Sequence, residues 1–203
     1  MKVPVTVPNP SDAQIVEIWA KVVDVQMHFN DIEMRIRNFA LSVVLAVFAA
    51  YGFLLNHDSF ISILSIKVYL YTVVPLMGSV AVYLFFFMDF YWYHRLLIGA
   101  VQQGIEIERR HELNLPELSI TKMIGKTSPI KPTGPLWILS RLFIRDKRFK
   151  DDGNLHSDSK IKLFYYTIIS FLLFLFAIST LTGGVRVSDT NLLSWFSKFF
   201  CTN

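Results

Sequence analysis

Three stretches of this 203-residue sequence contain no charged side chain: Phe39 to Leu55, Val68 to Met88 and Leu163 to Val185. At a rise of 1.5 Å per residue, the 21 and 23 residues of the second and third stretches make helices long enough to cross a bilayer core of about 30 Å. The first has seventeen residues and gains reach by snorkelling Arg35 and Arg37 toward the headgroups. With 53% of its side chains hydrophobic and the excess gathered in this way, the chain reads as an all-α integral membrane protein. Three transmembrane helices are expected, with long cytoplasmic helical stalks on the first two.

Seventeen of the twenty Lys and Arg residues lie before the first apolar run or between the second and third. The positive-inside bias then places the N-terminus and the central segment of a multi-pass membrane protein in the cytoplasm. The expected order is a stalk over 1–38, spans over 39–55 and 68–88 joined by an outer loop over 56–67, and a cytoplasmic helix over 89–113. A basic loop with an interfacial helix follows over 114–162, then a third span over 163–185 and an outer tail over 186–203. Insertion is expected through the first span, because the polar leader contains no apolar signal region.

Pro4, Pro8 and Pro10 keep the leader extended. Ser11 and Gln14 then form a capping box, and from there nothing breaks a helix until Gly52. Within it Ile15, Ile18, Val22, Val25, Phe29, Ile32, Ile36 and Phe39 alternate at spacings of three and four, the pattern of a heptad seam that needs a partner helix. The second span continues without a breaker through Asp89 and Arg95 to about Glu112, so the partner lies in the same chain as the other arm of an antiparallel hairpin. Height above the bilayer pairs Arg37 with Asp89 and Glu33 with Arg95. Together with Arg35 these residues form the expected control surface of the stalks. Gly99, Ala100 and Gly104 permit close approach or mark a kink.

Inside the second span Pro75 frees a carbonyl, and Gly78 with Ser79 and Ala81 offers a small-residue face. These residues read as a pore-lining kink or as ordinary close packing. In the basic segment, Trp137 and its apolar neighbours are followed by Arg141, Arg145, Lys147 and Arg148. That order describes a short helix lying on the inner leaflet in contact with anionic lipid, while direct contact with nucleic acid is disfavoured. The tail residues Leu192, Leu193, Trp195, Phe196, Phe199 and Phe200 suit the outer interface.

Little in the sequence carries catalytic chemistry. Five histidines lack metal-ligand spacing, Cys201 stands alone, and neither a phosphate-binding glycine loop nor a nucleophile elbow is present; no enzyme activity, cofactor or metal is expected. His28 and His94 fall on facing stalks, where they would serve a proton sensor or, as surface histidines, nothing beyond polarity. No ionisable residue falls inside a span, which weakens a transporter reading.

The run Gln26 to Asn38, with Asp89-Phe90-Tyr91-Trp92-Tyr93-His94-Arg95, resembles small membrane proteins of bacterial anti-phage systems, in particular the transmembrane effectors of retrons. In plan the chain is similar to SLATT-type hairpin effectors, from which its third apolar run departs. The resemblance implies a toxin that causes abortive infection by damaging the bacterial cell inner membrane; the stalks are expected to assemble copies of the chain into a homo-oligomer that permeabilises it. Its restraining partner would be a reverse transcriptase with its RNA-DNA product. A non-toxic anchor or sensor subunit that recruits a soluble enzyme through its stalks is the alternative.

Overall fold

A computed structural model describes residues 11–63 and 66–187. The proline-rich leader, the tail from Ser188 onward and Cys201 lie outside the described residues. Helix α1 is Asp12–Leu55, opened by the expected capping box: Ser11 N–H donates to Gln14 Oε1 at 2.9 Å and Gln14 N–H to Ser11 Oγ at 3.4 Å. Strands β1 (Phe60–Ile63) and β2 (Ile66–Tyr69) follow, then α2 (Leu70–Phe86). A π-helical segment, Phe87–Tyr93, leads into α3 (His94–Arg110). Next come α4 (Ile120–Thr127), α5 (Gly134–Phe143), α6 (Lys147–Asp152) and α7 (Ser157–Ser179). A wider turn, Thr180–Gly184, ends α7 before β3 (Val185–Val187).

Three helical stretches are long and apolar enough to cross a membrane: Asp12–Leu55, Leu70–Arg110 and Ser157–Gly184. The chain divides into two compact units, one of residues 1–37 and 86–163 and the other of 38–85 and 164–203.

The second, apolar unit buries Ala40, Val44, Val82 and Leu172. The ring of Phe48 meets Phe171 edge-on, and the hydroxyls of Tyr51 and Ser179 are 2.8 Å apart. Its exterior is as apolar as its interior: Leu45, Phe53, Met77, Leu84 and Phe174 are all more than half exposed. A water-soluble bundle would bury such residues. The segment expected as a plain outer loop folds instead into a hairpin, with β1 antiparallel to β2 and β2 antiparallel to β3. β-branched residues in Ile66-Lys67-Val68 favour that ladder over helix, so α2 starts at Leu70 rather than Val68. Pro75 and Gly78 both face inward here. A Cβ at residue 78 would stand 2.7 Å from Val47 Cγ2, and Ser79 Oγ donates to the Pro75 carbonyl at 2.8 Å, giving the small-residue face a packing role.

The first, polar unit is built on α1 and α3 running antiparallel. The heptad seam of α1 is present, but one of its two columns is not the expected one. Ile15, Val22, Phe29 and Ile36 are covered as expected and Ile32 is half-buried, whereas Ile18, Val25 and Phe39 are 49%, 45% and 63% exposed. The second covered column is Trp19, Gln26, Glu33 and Ala40, one residue further on. Each polar member finds a partner that an isoleucine would lack. Trp19 Nε1 donates to Glu108 Oε1 at 3.1 Å, and Gln26 Nε2 donates to the Ala100 carbonyl at 3.1 Å. Glu33 meets His94. Gly104 is what permits the middle contact, since a Cβ there would fall 2.5 Å from Gln26 Nε2.

The segment over 114–162, expected to be mostly loop, holds three short helices. Glu108 organises the first by accepting from the Thr121 and Lys122 amides at 2.8 Å each, occupying donors that the first turn of α4 leaves free. Pro135 sits in the first turn of α5, and Gly153, at φ 69°, ends α6 in the left-handed conformation. Leu155, Ile144 and Leu163 make a small core beneath them, with Leu139, Phe143 and Phe149 packed against it.

Burial alone would raise the pKa of Glu108, and the amides of Lys122 and Thr121 outweigh it, holding the carboxyl below its ordinary value. Glu108→Ala strands three donors, including the Trp19 indole, and is expected to cost about 2 kcal/mol. A thermal unfolding midpoint in detergent that matches wild type would contradict this.

Candidate functional site

Five ionisable side chains from three helices converge in the polar unit: Glu33 and Arg37 on α1, Asp89 and His94 at the two ends of the π turn, and Asp158 in the first turn of α7. Their arrangement follows from the π turn. In an α-helix residues 89 and 94 would point about 140° apart, at 3.6 residues per turn. Here the His94 amide donates to the carbonyl of Asp89, five residues back, which stacks the two residues on one face. Extra residues of this kind are frequent at functional positions.

Arg37 is the centre of one half. Its Nε donates to Asp89 Oδ2 at 2.7 Å and its Nη2 to Asp89 Oδ1 at 3.3 Å and Glu33 Oε2 at 2.7 Å. Asp89 is fully buried and Glu33 is 2% exposed. His94 is the centre of the other half, with Nδ1 3.0 Å from Glu33 Oε1 and Nε2 2.8 Å from Asp158 Oδ1. An ionised carboxylate only accepts hydrogen bonds, so both contacts are satisfied together only when both ring nitrogens carry protons. The imidazolium is therefore the form that fits.

Burial taken alone depresses the His94 pKa. Hydrogen bonds to Asp158 and Glu33, with their charges, overcome it and raise the value to about 9. Asp158 moves the opposite way, held below the ordinary carboxylate range by its hydrogen bond to His94 against a smaller effect of burial. Three carboxylates thus face one guanidinium and one imidazolium, leaving the cluster one negative charge while His94 is protonated and two once it is not. Phe90 stacks on the His94 ring at 6.1 Å, and the cations of Arg95 and Lys162 lie 5.6 and 5.2 Å from the centre of the Phe90 ring.

No protein family, characterised protein or solved structure matches this chain.

The Arg37–Asp89 pair expected from the sequence is formed. The Glu33–Arg95 pair is not: the π turn brings His94 onto the face of Asp89, so His94 meets Glu33 while Arg95 is exposed. Arg35 also stands apart, joined to Asp31 at 2.7 Å in a solvated pair within α1. His94, expected to be as exposed as His28, is 3% exposed. Sequence reasoning missed Asp158 altogether, because nothing within α7 marks its first turn as a neighbour of residues sixty positions earlier. The acidic residue at a polar column of the α1 seam was the available signal. An unpaired Glu33 there would carry a heavy burial penalty, so its presence called for a cation on the partner helix.

The basic residues divide between two surfaces. Trp137, Arg141 and Arg145 line a cleft with Phe149 and Lys150, whereas Lys147 and Arg148 line another with His156 and Asp158. Among the described residues no three His, Cys, Asp or Glu side chains are placed to share a metal ion.

Proposed function

We propose that this chain is an inner-membrane effector of a bacterial anti-phage system, held silent by the ionic cluster and permeabilising the membrane once released. The cluster is the observation that carries the reading. Burying Glu33, Asp89 and His94 stabilises a fold poorly compared with apolar packing, yet removing a single partner is severely destabilising. A clasp of this kind favours two discrete states over graded loosening, and a partner that binds one state better shifts the population. In this reading the three apolar helices span the membrane with the N-terminus cytoplasmic, copies of the chain assemble together, and the restraining partner is a reverse transcriptase with its RNA-DNA product. The apolar exterior of the second unit and the resemblance of the stalk sequence support it.

One observation favours the alternative of a non-toxic anchor. Ile18 and Val25, left exposed by the seam, line an apolar groove of about 330 Å³ with Val22, Ala100 and Gln103, a face suited to a recruited protein.

Inducing the chain alone in a bacterium while following growth and a membrane-potential dye separates the two. Growth arrest with rapid depolarisation is expected, earlier in a variant with the clasp opened by Asp89→Ala. Healthy, polarised cells with both chains would overturn the effector reading.

A further inference from the structure

The cleft between α5 and α6 has no part in the clasp. It encloses about 700 Å³ and is lined by Trp137, Arg141, Ile144, Arg145, Phe149 and Lys150, a volume in the range of small-molecule sites. Three cations converge there. Arg141 lies 5.6 Å over the ring of Trp137, and among the described residues none of Arg141, Arg145 and Lys150 makes an ion pair. Of the carboxylates close in sequence, Asp146 binds Lys162 at 2.9 and 3.0 Å, Asp152 binds His156 at 2.7 Å, and Asp151 does not line the cleft. A cleft lined, among the described residues, by three cations and no acid fits an anion.

Helix α5, which carries the first of these cations, tells which anion. Trp137 and Arg141 are four residues apart on α5, with Arg145 just past its end, and beside them Ile138 and Leu142, also four apart, are 62% and 64% exposed. Four-residue spacing puts each set in a row on one face. An arginine over an aromatic ring, beside an uncovered apolar row, is the pattern of a helix that holds a phosphate while its apolar edge meets acyl chain. Guanidinium suits phosphate because its planar fork of donors matches two phosphate oxygens.

We propose that this cleft seats the phosphate group of an anionic phospholipid, with Arg141, Arg145 and Lys150 as its cations and Ile138 and Leu142 against the acyl chains. Phosphate is the shared chemistry of lipid headgroup and free anion, and the apolar row assigns the lipid. The site rests on the membrane reading above but not on toxicity.

The test uses the full chain purified in a neutral detergent, with its thermal midpoint followed as short-chain phosphatidylglycerol, the matching phosphatidylcholine or inorganic phosphate is titrated at low salt. Phosphatidylglycerol is expected to raise the midpoint and the other two to leave it in place. Arg141→Gln with Arg145→Gln should weaken the apparent affinity at least tenfold while keeping the ligand-free midpoint, since both residues are exposed. Lys150→Gln alone gives an intermediate effect and serves if the double variant fails to fold. Arg109→Gln with Arg110→Gln, which removes two exposed cations paired with Glu106, should bind like wild type. The proposal is overturned by an equal response to phosphatidylcholine, by saturation with inorganic phosphate, by no response, or by a response that survives loss of the cleft cations. Because growth is not read, a non-toxic chain can still bind and a toxic one can still fail to.

Discussion

Asp89→Ala is expected to destabilise the polar unit by about 3 kcal/mol, the scale on which one partner of a buried ion pair is missed. Asp89 has no exposure to solvent and takes two of Arg37's hydrogen bonds, so its loss leaves a guanidinium in a protein interior with Glu33 as its remaining carboxylate in the clasp. Asp89→Asn should cost less, because the amide keeps one acceptor oxygen. Exchanging the pair, Arg37→Asp with Asp89→Arg, is expected not to restore stability. An aspartate at position 37 would stand one helical turn from Glu33, whose Oε2 now lies 2.7 Å from Arg37 Nη2, and like charges would meet where opposite ones do. Unfolding in detergent, followed by tryptophan fluorescence, measures all three. An alanine variant as stable as wild type would show that the clasp does not hold the helices together.

The second large effect is pH dependence. His94 lies beyond the apolar run of the second span, and its pKa stands near 9 in the folded chain against an ordinary value of 6.5. The folded state therefore holds the proton more tightly than the unfolded one. Its contribution is fully present below about pH 6.5, falls as the pH rises from there, and is gone above about 9. Two to three pH units of displacement correspond to roughly 3 kcal/mol. The groups facing the ring are Glu33 and Arg37 on α1, Asp89 and Arg95 on its own helix, and Asp158 with Lys162 on α7. Wild type should lose stability steeply between pH 6.5 and 9, whereas His94→Gln should start lower at pH 6.5, lose less across that range and meet wild type above 9. Parallel curves for the two chains would place the titrating group elsewhere. Asp158 acts in the opposite window, since its depressed pKa makes stability fall as acid protonates it.

Much of the helical plan is legible before any coordinates are consulted. Absence of charge over Phe39 to Leu55, Val68 to Met88 and Leu163 to Val185 determines three helices long and apolar enough to cross a membrane, because apolar length is a property of composition and rise per residue alone. The capping box at Ser11 and Gln14 is equally local, and so is the Arg37–Asp89 level, fixed by counting outward from two apolar runs. A heptad in α1 is legible as a period.

Which column of that heptad is buried is a different kind of question. Hydrophobicity ranks Ile18, Val25 and Ile32 above Trp19, Gln26 and Glu33, and only the facing helix reverses the order by presenting Glu108, the Ala100 carbonyl and His94 at matching heights. The hairpin at residues 60–69 depends likewise on pairing with β3, more than a hundred residues later.

Sequence by itself determined where charge stops along the chain, and with it the number and length of the apolar helices. Tertiary structure decided which charges meet. A π turn at Phe87–Tyr93 aligns His94 with Asp89 and so sets His94, not Arg95, against Glu33, and α7 supplies Asp158 from a distant part of the chain. The physical reason is that helix formation and apolar burial are read from local spacing, whereas a buried ion pair is tolerable only where a partner from another element arrives within hydrogen-bonding distance.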